Sequence, residues 1–356
     1  MRRKKLKIGV VVALVAVLAV VVLWERKTQG PGTAKILDLG SGQRGRRVVW
    51  SPDGETLAVV TKYESMIFGH KGSSVKLWDV EQGQVRETIA ESKEKWLAFQ
   101  QVAFSADGKT IASTISESIA GPSMPMIREQ VKLWDTKTLD LKQMLGGIGS
   151  LGGLALSPDG ILVAAGDLNK KTVTLWSAAT GMPERTLQTK TQPWSMVFSP
   201  DSKTLVIGGQ NDDHSGQVQF WDAHMWTLKH VSNQDNGING VAFSPDGKLI
   251  ASCGGGELIQ VWNVETGEVI LSLKGDKHWH RTVAFSPDSK TVAAGGADRN
   301  VRLWDVQTGQ PKEFLKGHTD QIYSISFSPD GKTLASTSQD ETVRLWPIHN
   351  RPGGGK

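Results

Sequence analysis

Several short runs in this 356-residue chain carry residue types capable of catalysis or ligand binding, and their spacing decides what each can do. Gly-Lys-Thr occurs at 108–110 and 331–333, but a phosphate-cradling loop needs a glycine five positions earlier, where Ala103 and Ser326 stand. Ser150 lies in a glycine-rich run, yet Ile148 occupies the position where a strained nucleophile turn requires glycine. His278-Trp279-His280 puts two imidazoles two residues apart, on one face of a strand, with no third metal ligand recognisable. A wet loop edge is the expected setting for that pair. Asn211-Asp212-Asp213 lacks the alternating oxygen ligands of a calcium loop. The aspartates that follow Ser-Pro are numerous because turns use them, so they are not read as paired acids. These runs predict neither an enzyme, nor a metal site, nor a cofactor.

The fragments share a position in a repeat. A turn of the form Ser-Pro-Asp-Gly, or a close variant, starts at Ser51, Ser105, Ser157, Ser199, Ser244, Ser286 and Ser328. Each is followed by a tryptophan: Trp78, Trp134, Trp176, Trp221, Trp262, Trp304 and Trp346. From Trp134 onward these lie 42, 45, 41, 42 and 42 residues apart, a period that marks a repeat architecture. In the last copy three β-prone runs, 322–329, 333–338 and 342–346, alternate with turn residues and predict an antiparallel meander. A fourth strand follows each tryptophan, as over 264–273, bent at Thr266-Gly267. Four strands in each of seven units predict an all-β fold, a seven-bladed β-propeller of four-stranded antiparallel sheets. No such sheet can bury both faces alone, so neighbours must stack.

This pattern resembles the WD-repeat family of β-propellers. The resemblance rests on Lys76-Leu-Trp-Asp79, Lys132-Leu-Trp-Asp135, Arg302-Leu-Trp-Asp305, Gly317-His318 and the seven aligned turns, and covers about residues 33–348. It implies a fold and says little about biochemical role. The family's buried tetrad of His, Ser or Thr, Asp and Trp is complete only in the last repeat, as His318, Ser336, Asp340 and Trp346, a structural set rather than a catalytic one. The sixth repeat keeps Asp298 and Trp304 but has Asp276 in place of the histidine, and the others keep little beyond the tryptophan. The bends Glu265-Thr-Gly, Ala179-Thr-Gly and Gln307-Thr-Gly are similar to quinoprotein propellers too, whose tryptophan pattern differs. Ten residues follow Trp346, leaving the seventh sheet short of an outer strand. The unpartnered run 34–39 is predicted to pair with 342–346 and seal the ring.

Arg2, Arg3, Lys4, Lys5 and Lys7 precede an uncharged apolar stretch from Ile8 to Trp24. A helix over those residues spans about 25 Å, at the short end of what a bilayer core needs. Flanking cations stay on the cytoplasmic side, and Trp24 suits a headgroup boundary. The expected organisation is a basic cytoplasmic tail (1–7), a transmembrane signal-anchor helix (8–24), a linker (25–32), the propeller (33–350) and a flexible tail (351–356). A cleaved signal peptide is the competing reading. The propeller is then expected outside the cytoplasm, in a periplasm-like or luminal space. Residues 1–27 carry a net charge of +6 and the whole chain +5, so the remainder is near neutral and nothing points to nucleic acid. The single Cys253 permits no internal disulfide.

The repeats are unequal. From turn serine to tryptophan they measure 27, 29, 19, 22, 18, 18 and 18 residues, so the first two carry extra loop, about 62–72 and 115–129. The connection from Trp78 to Ser105 is long as well. Alternate connections of a meander share a side, so these extensions meet on one face around the first two units. Phe68, Trp96, Met124, Met126 and Ile127 fall within them, a set suited either to a protein-binding hot spot or to packing on their own blades. The resemblance implies partner contacts on the same face, near the channel. There the aligned positions where inner strands begin are Arg44, Lys277, Trp279, Thr319 and Gln321. The expected function is a membrane-tethered, non-catalytic scaffold for a protein partner, with the propeller itself monomeric. The alternatives are a quinoprotein-like or hydrolase-like enzyme or cofactor binder using the channel, and a structural spacer.

Overall fold

The turn serines and aspartates set up each repeat by local hydrogen bonding. Ser51 Oγ donates to Asp53 at 2.5 Å and accepts the Thr56 N–H at 2.9 Å, replacing backbone partners lost at the corner. The same pair of bonds recurs at the other six turns, through to Ser328, where the hydroxyl reaches Asp330 at 2.6 Å and the Thr333 N–H at 3.0 Å. Gly331 closes that corner at φ +69°, where a side chain is strained. The Ser51 hydroxyl, with the Glu55 N–H, holds Asp53 below the usual carboxylate range. These acids are therefore bound up in corners and present no free pair.

The computed structural model describes residues 34–64, 71–89, 97–119 and 126–348. Chain packing separates Met1–Lys35 from Ile36–Lys356, and the fold that follows is that of the second unit. Strand β1 is Lys35–Asp38. Blade 1 comprises β2 (Gln43–Trp50), β3 (Thr56–Glu64), β4 (Lys71–Asp79) and β5 (Gln84–Ile89). Blade 2 comprises β6 (Leu97–Phe104), β7 (Thr110–Ile119), β8 (Met126–Asp135) and β9 (Leu141–Ile148). Blade 3 has β10 (Leu151–Leu156), β11 (Leu162–Asp167), β12 (Thr172–Ser177) and β13 (Pro183–Gln188). Blade 4 has β14 (Gln192–Phe198), β15 (Thr204–Gln210), β16 (Gly216–Asp222) and β17 (Leu228–Gln234). Blade 5 has β18 (Ile238–Phe243), β19 (Leu249–Gly254), β20 (Leu258–Asn263) and β21 (Val269–Lys274). Blade 6 has β22 (His280–Phe285), β23 (Thr291–Gly296), β24 (Val301–Asp305) and β25 (Pro311–Leu315). Blade 7 has β26 (Ile322–Phe327), β27 (Thr333–Ser338) and β28 (Thr342–Pro347), with β1 as its outer strand in the order β1-β28-β27-β26.

The innermost strands β2, β6, β10, β14, β18, β22 and β26 touch in sequence, and β26 touches β2. The seven sheets are thus a closed ring, as the repeat count requires. Core clusters lie between blades rather than within them. One joins Leu37, Leu39, Val343 and Leu345 of blade 7 to Val48, Trp50, Leu57 and Trp78 of blade 1. Leu37 and Leu39 are 2% exposed, and Trp50 Nε1 donates to the Ser326 carbonyl at 3.1 Å across the same seam. Burying two leucines is worth about 3–6 kcal/mol, so the 34–39 segment acts as the clasp.

Two expectations need correction. The described extra residues of repeats one and two are ladder rather than loop: β3 pairs with β4 out to Glu64 and Lys71, and β7 with β8 out to Ile119 and Met126. β-branched and aromatic residues continue along them, from Val59 to Tyr63 and from Thr114 to Ile115, and favour a pleated strand. In the fifth repeat, 264–268 form the bend and the outer strand begins at Val269. Among the described residues no helix is long and apolar enough to cross a membrane, and the expected tail, anchor and linker of 1–32 lie outside them, as does 351–356.

Candidate functional site

Every innermost strand breaks its register with the second strand at the same level. The shifts fall between Gly45 and Arg47, Phe99 and Val102, Leu151 and Leu154, Pro193 and Ser195, Ile238 and Gly240, His280 and Thr282, and Ile322 and Ser324. The extra residues are Arg46, Gln100-Gln101, Gly152-Gly153, Trp194, Asn239, Arg281 and Tyr323. A β-bulge re-aims the added side chain and bends its strand. Six of the seven bulges, all but that of Asn239, line one cavity of about 620 Å³ at the mouth of the central channel. Lys62, Gly72, Ser116 and Glu129, from the two long hairpins, complete its wall. Gly152 is required there, because a Cβ would run into the Pro193 carbonyl of the next blade.

Charge at this mouth is uneven. The Arg46 guanidinium lies 4.4 Å from the Tyr323 ring centroid and that of Arg281 4.9 Å, two cation–π contacts on one ring. Tyr323 donates to Gln339 Oε1 at 2.6 Å, and Arg281 Nη2 donates to Gln321 Oε1 at 3.3 Å. Glu129, the one carboxylate among the described residues of the wall, accepts from Ser116 Oγ at 3.1 Å and from the Leu151 N–H. Below the bulges a second cavity of about 370 Å³ is mostly apolar, lined by Val48, Met196, Val241 and Phe285 with Arg47 and Arg281. Burial lowers the Arg47 pKa, the sign of a cation removed from water.

The sequence-derived candidates scatter. Phe68, Trp96 and Met124 lie outside the described residues, and Met126 and Ile127 open β8 opposite Ile119 and Ser118. Arg44 sits in β2 opposite Lys62, half-buried. Lys277 and Trp279 are exposed ahead of β22, Trp279 at 59%. Thr319 is exposed, its N–H bound to Asp340, and Gln321 is the one that reaches the mouth arginine. Sequence reasoning placed its channel positions two to four residues too early, at or ahead of the strand starts. The arginines of QRGRRVVW and HRTVAF, against otherwise apolar or small inner strands, were the signal available.

In blade 7, His318 Nδ1 lies 2.8 Å from Asp340 and Nε2 2.7 Å from Ser336 Oγ, which accepts from Trp346 Nε1 at 2.8 Å. Burial opposes charge on Asp340, but hydrogen bonds from His318, Thr342 and the Thr319 N–H hold its pKa far below the usual range. Other repeats keep more than the tryptophan alone: Ser113 and Ser252 accept from Trp134 and Trp262 at 2.9 and 2.8 Å, and Gln234 takes the histidine's place on Ser252. In blade 6, Arg302 bridges Asp276 at 2.9 Å and Asp298 at 3.1 Å. His280 is buried at 2% exposure, not at a wet edge, because it opens β22 beneath Gly275, while His278 is exposed against Asp276.

Residues 181–222, 225–263, 267–305 and 309–347 match the family model of the WD domain, G-beta repeat. With the seven-sheet ring, these four matches support a WD-repeat propeller family. Polyadenylation factor subunit 2 of Candida albicans is 30% identical over 96 residues, 27% of this chain and 17% of that protein. Periodic tryptophan protein 2 of Arabidopsis thaliana is 27% identical over 234 residues, 64% of this chain and 23% of its own length. WD repeat-containing protein SL1-17 of Schistosoma mansoni is 29% identical over 150 residues, 40% of this chain and 46% of the relative. The chain thus spans less than half the length of each of these relatives.

Proposed function

We propose that this protein is a non-catalytic scaffold that holds a protein partner at the channel mouth. One observation carries the reading: six bulged inner strands and two lengthened hairpins converge on a single 620 Å³ opening. Its wall combines the rings of Trp194 and Tyr323 with Arg46, Lys62 and Arg281, the mixture that anchors protein partners. Catalysis by acid and base would need convergent carboxylates and imidazoles, and the described wall offers only Glu129, already engaged by Ser116 and Leu151. The WD-repeat relatives support the same reading.

The scaffold is tethered to a membrane through 8–24, with its N-terminus cytoplasmic and the propeller on the other side. The run of cations followed by seventeen uncharged residues supports this topology. Two measurements test the function. A photoreactive residue at the exposed Tyr63, on hairpin β3–β4, should capture a partner in native membranes. Capture only of the protein's own hairpins would refute the scaffold. Protease added to intact cells stripped of any outer envelope should digest the propeller, and protection would reverse the assigned topology.

A further inference from the structure

The seven innermost strands contain four arginines, Arg44, Arg46, Arg47 and Arg281, and no aspartate or glutamate. Outside residues 1–27 the chain is near neutral, so this positive charge is local to the channel. Several cations elsewhere are matched: Arg86 with Asp79 at 2.8 Å, Lys142 with Asp135 at 3.0 Å, Arg302 with two acids. Arg46, Arg47 and Arg281 form no ion pair with any described acid. Arg281 Nε and Arg47 Nε are buried without a hydrogen-bond partner. An uncompensated cation in such a place is unfavourable for folding, and ring closure has brought blades 1, 6 and 7 together around it.

From this we infer that the bulge ring is a receptor for an acidic, extended peptide segment of the partner, whose carboxylates meet Arg46 and Arg281. The inference rests on the scaffold reading and names the chemistry of what the scaffold holds. The Tyr323 ring holds both guanidiniums by cation–π attraction, which uses none of their N–H donors and leaves them for a carboxylate. The hydrogen bond from Tyr323 to Gln339 fixes the ring between them. The half-buried Trp194 supplies apolar surface for the methylene stems of glutamate side chains. Size argues against a lone inorganic anion, since 620 Å³ equals roughly twenty waters of liquid volume. A nucleic-acid backbone would need a basic track, whereas the wall below the bulges is mostly apolar.

Fluorescence anisotropy on the full-length protein in mild detergent tests this with labelled hexaglutamate and hexaglutamine peptides. Hexaglutamate should bind at least tenfold more tightly and weaken with salt. Arg46→Gln and Arg281→Gln should each cost about tenfold, and Lys109→Gln, on the opposite turns, nothing. Thermal melting verifies folding, and if Arg281→Gln melts early then Arg46→Gln decides alone. Equal binding of the two peptides, or an unaffected Arg46→Gln, would overturn the inference. So would displacement by inorganic phosphate where chloride of equal ionic strength has no effect, the behaviour of a small-anion site. The two readings fail separately: a partner captured from Tyr63 with hexaglutamate unbound sinks only the acidic segment. Hexaglutamate bound through Arg46 with no partner captured upholds the chemistry and sinks the scaffold.

Discussion

In blade 7 one polar set is satisfied within a single sheet, where His318, Ser336, Asp340 and Trp346 bond to each other and to the adjoining Thr319 and Thr342. Blades 1 and 2 lack that set, and their buried hydroxyls reach outward. Ser73 of blade 1 accepts the Phe99 N–H of blade 2 at 3.1 Å, and Glu129 of blade 2 accepts the Leu151 N–H of blade 3. Thr61 and Ser74 bond each other at 2.8 Å within the lengthened ladder. Trp78 Nε1 has no partner at all, because Val59 stands where blades 2, 5 and 7 have serine. That closed set does not itself tie blade 7 to a neighbouring sheet. A blade that borrows partners is tied to its place in the ring, and blades 1 and 2 also add their long hairpins to the wall of the mouth.

The largest effect should come from the seam between the two regions. Deleting residues 34–39 removes the outer strand of blade 7 and uncovers the cluster shared with blade 1, a loss of about 4 kcal/mol or more. A urea midpoint equal to wild type would show that the ring does not need its clasp. Exchanging the residues that distinguish the blades is the next strongest test. Ser336→Val should cost about 2–4 kcal/mol by orphaning His318 and Trp346, whereas Val59→Ser should stay within about 1 kcal/mol, lost burial being offset by a partner for Trp78. Equal costs in denaturant titrations would erase the contrast.

Arg47→Met keeps the apolar stem and removes a half-buried charge whose Nε is unpaired, so it should raise stability by about 1 kcal/mol. A destabilised variant would mean that the charge is compensated. The smallest effect concerns acid. Burial lowers the His280 pKa from the ordinary 6.5 despite the opposing charge of Asp298 and the backbone of Asp276. The unfolded chain therefore takes up this proton first, so the stability it contributes is complete above pH 6.5 and is lost as pH falls below it. His280→Leu should flatten the fall in Tm between pH 7 and 5, and an unchanged slope would assign that fall to other groups.

The blade count, the strand order within each blade and the clasp were legible in the chain because they rest on local signals. Ser–Asp turns and Gly331 act over five or fewer residues, and a tryptophan recurs wherever one sheet packs on the next. The hairpins of blades 1 and 2 were legible as extra length but not as ladder, since a run such as Thr-Lys-Tyr-Glu reads equally as loop or strand until its partner is known. His280 was misplaced for a similar reason, its burial depending on Gly275 and Ile259 beyond its own strand.

By itself the sequence determined a seven-part all-β ring, because period and turn chemistry repeat at fixed spacing and leave one topology that buries every sheet. Tertiary structure alone decided where the arginines point. A bulge breaks the two-residue alternation from which side-chain direction is read. Only closure then sets Arg46 of the first blade beside Arg281 of the sixth and Tyr323 of the seventh, since no local rule links positions so far apart in the chain.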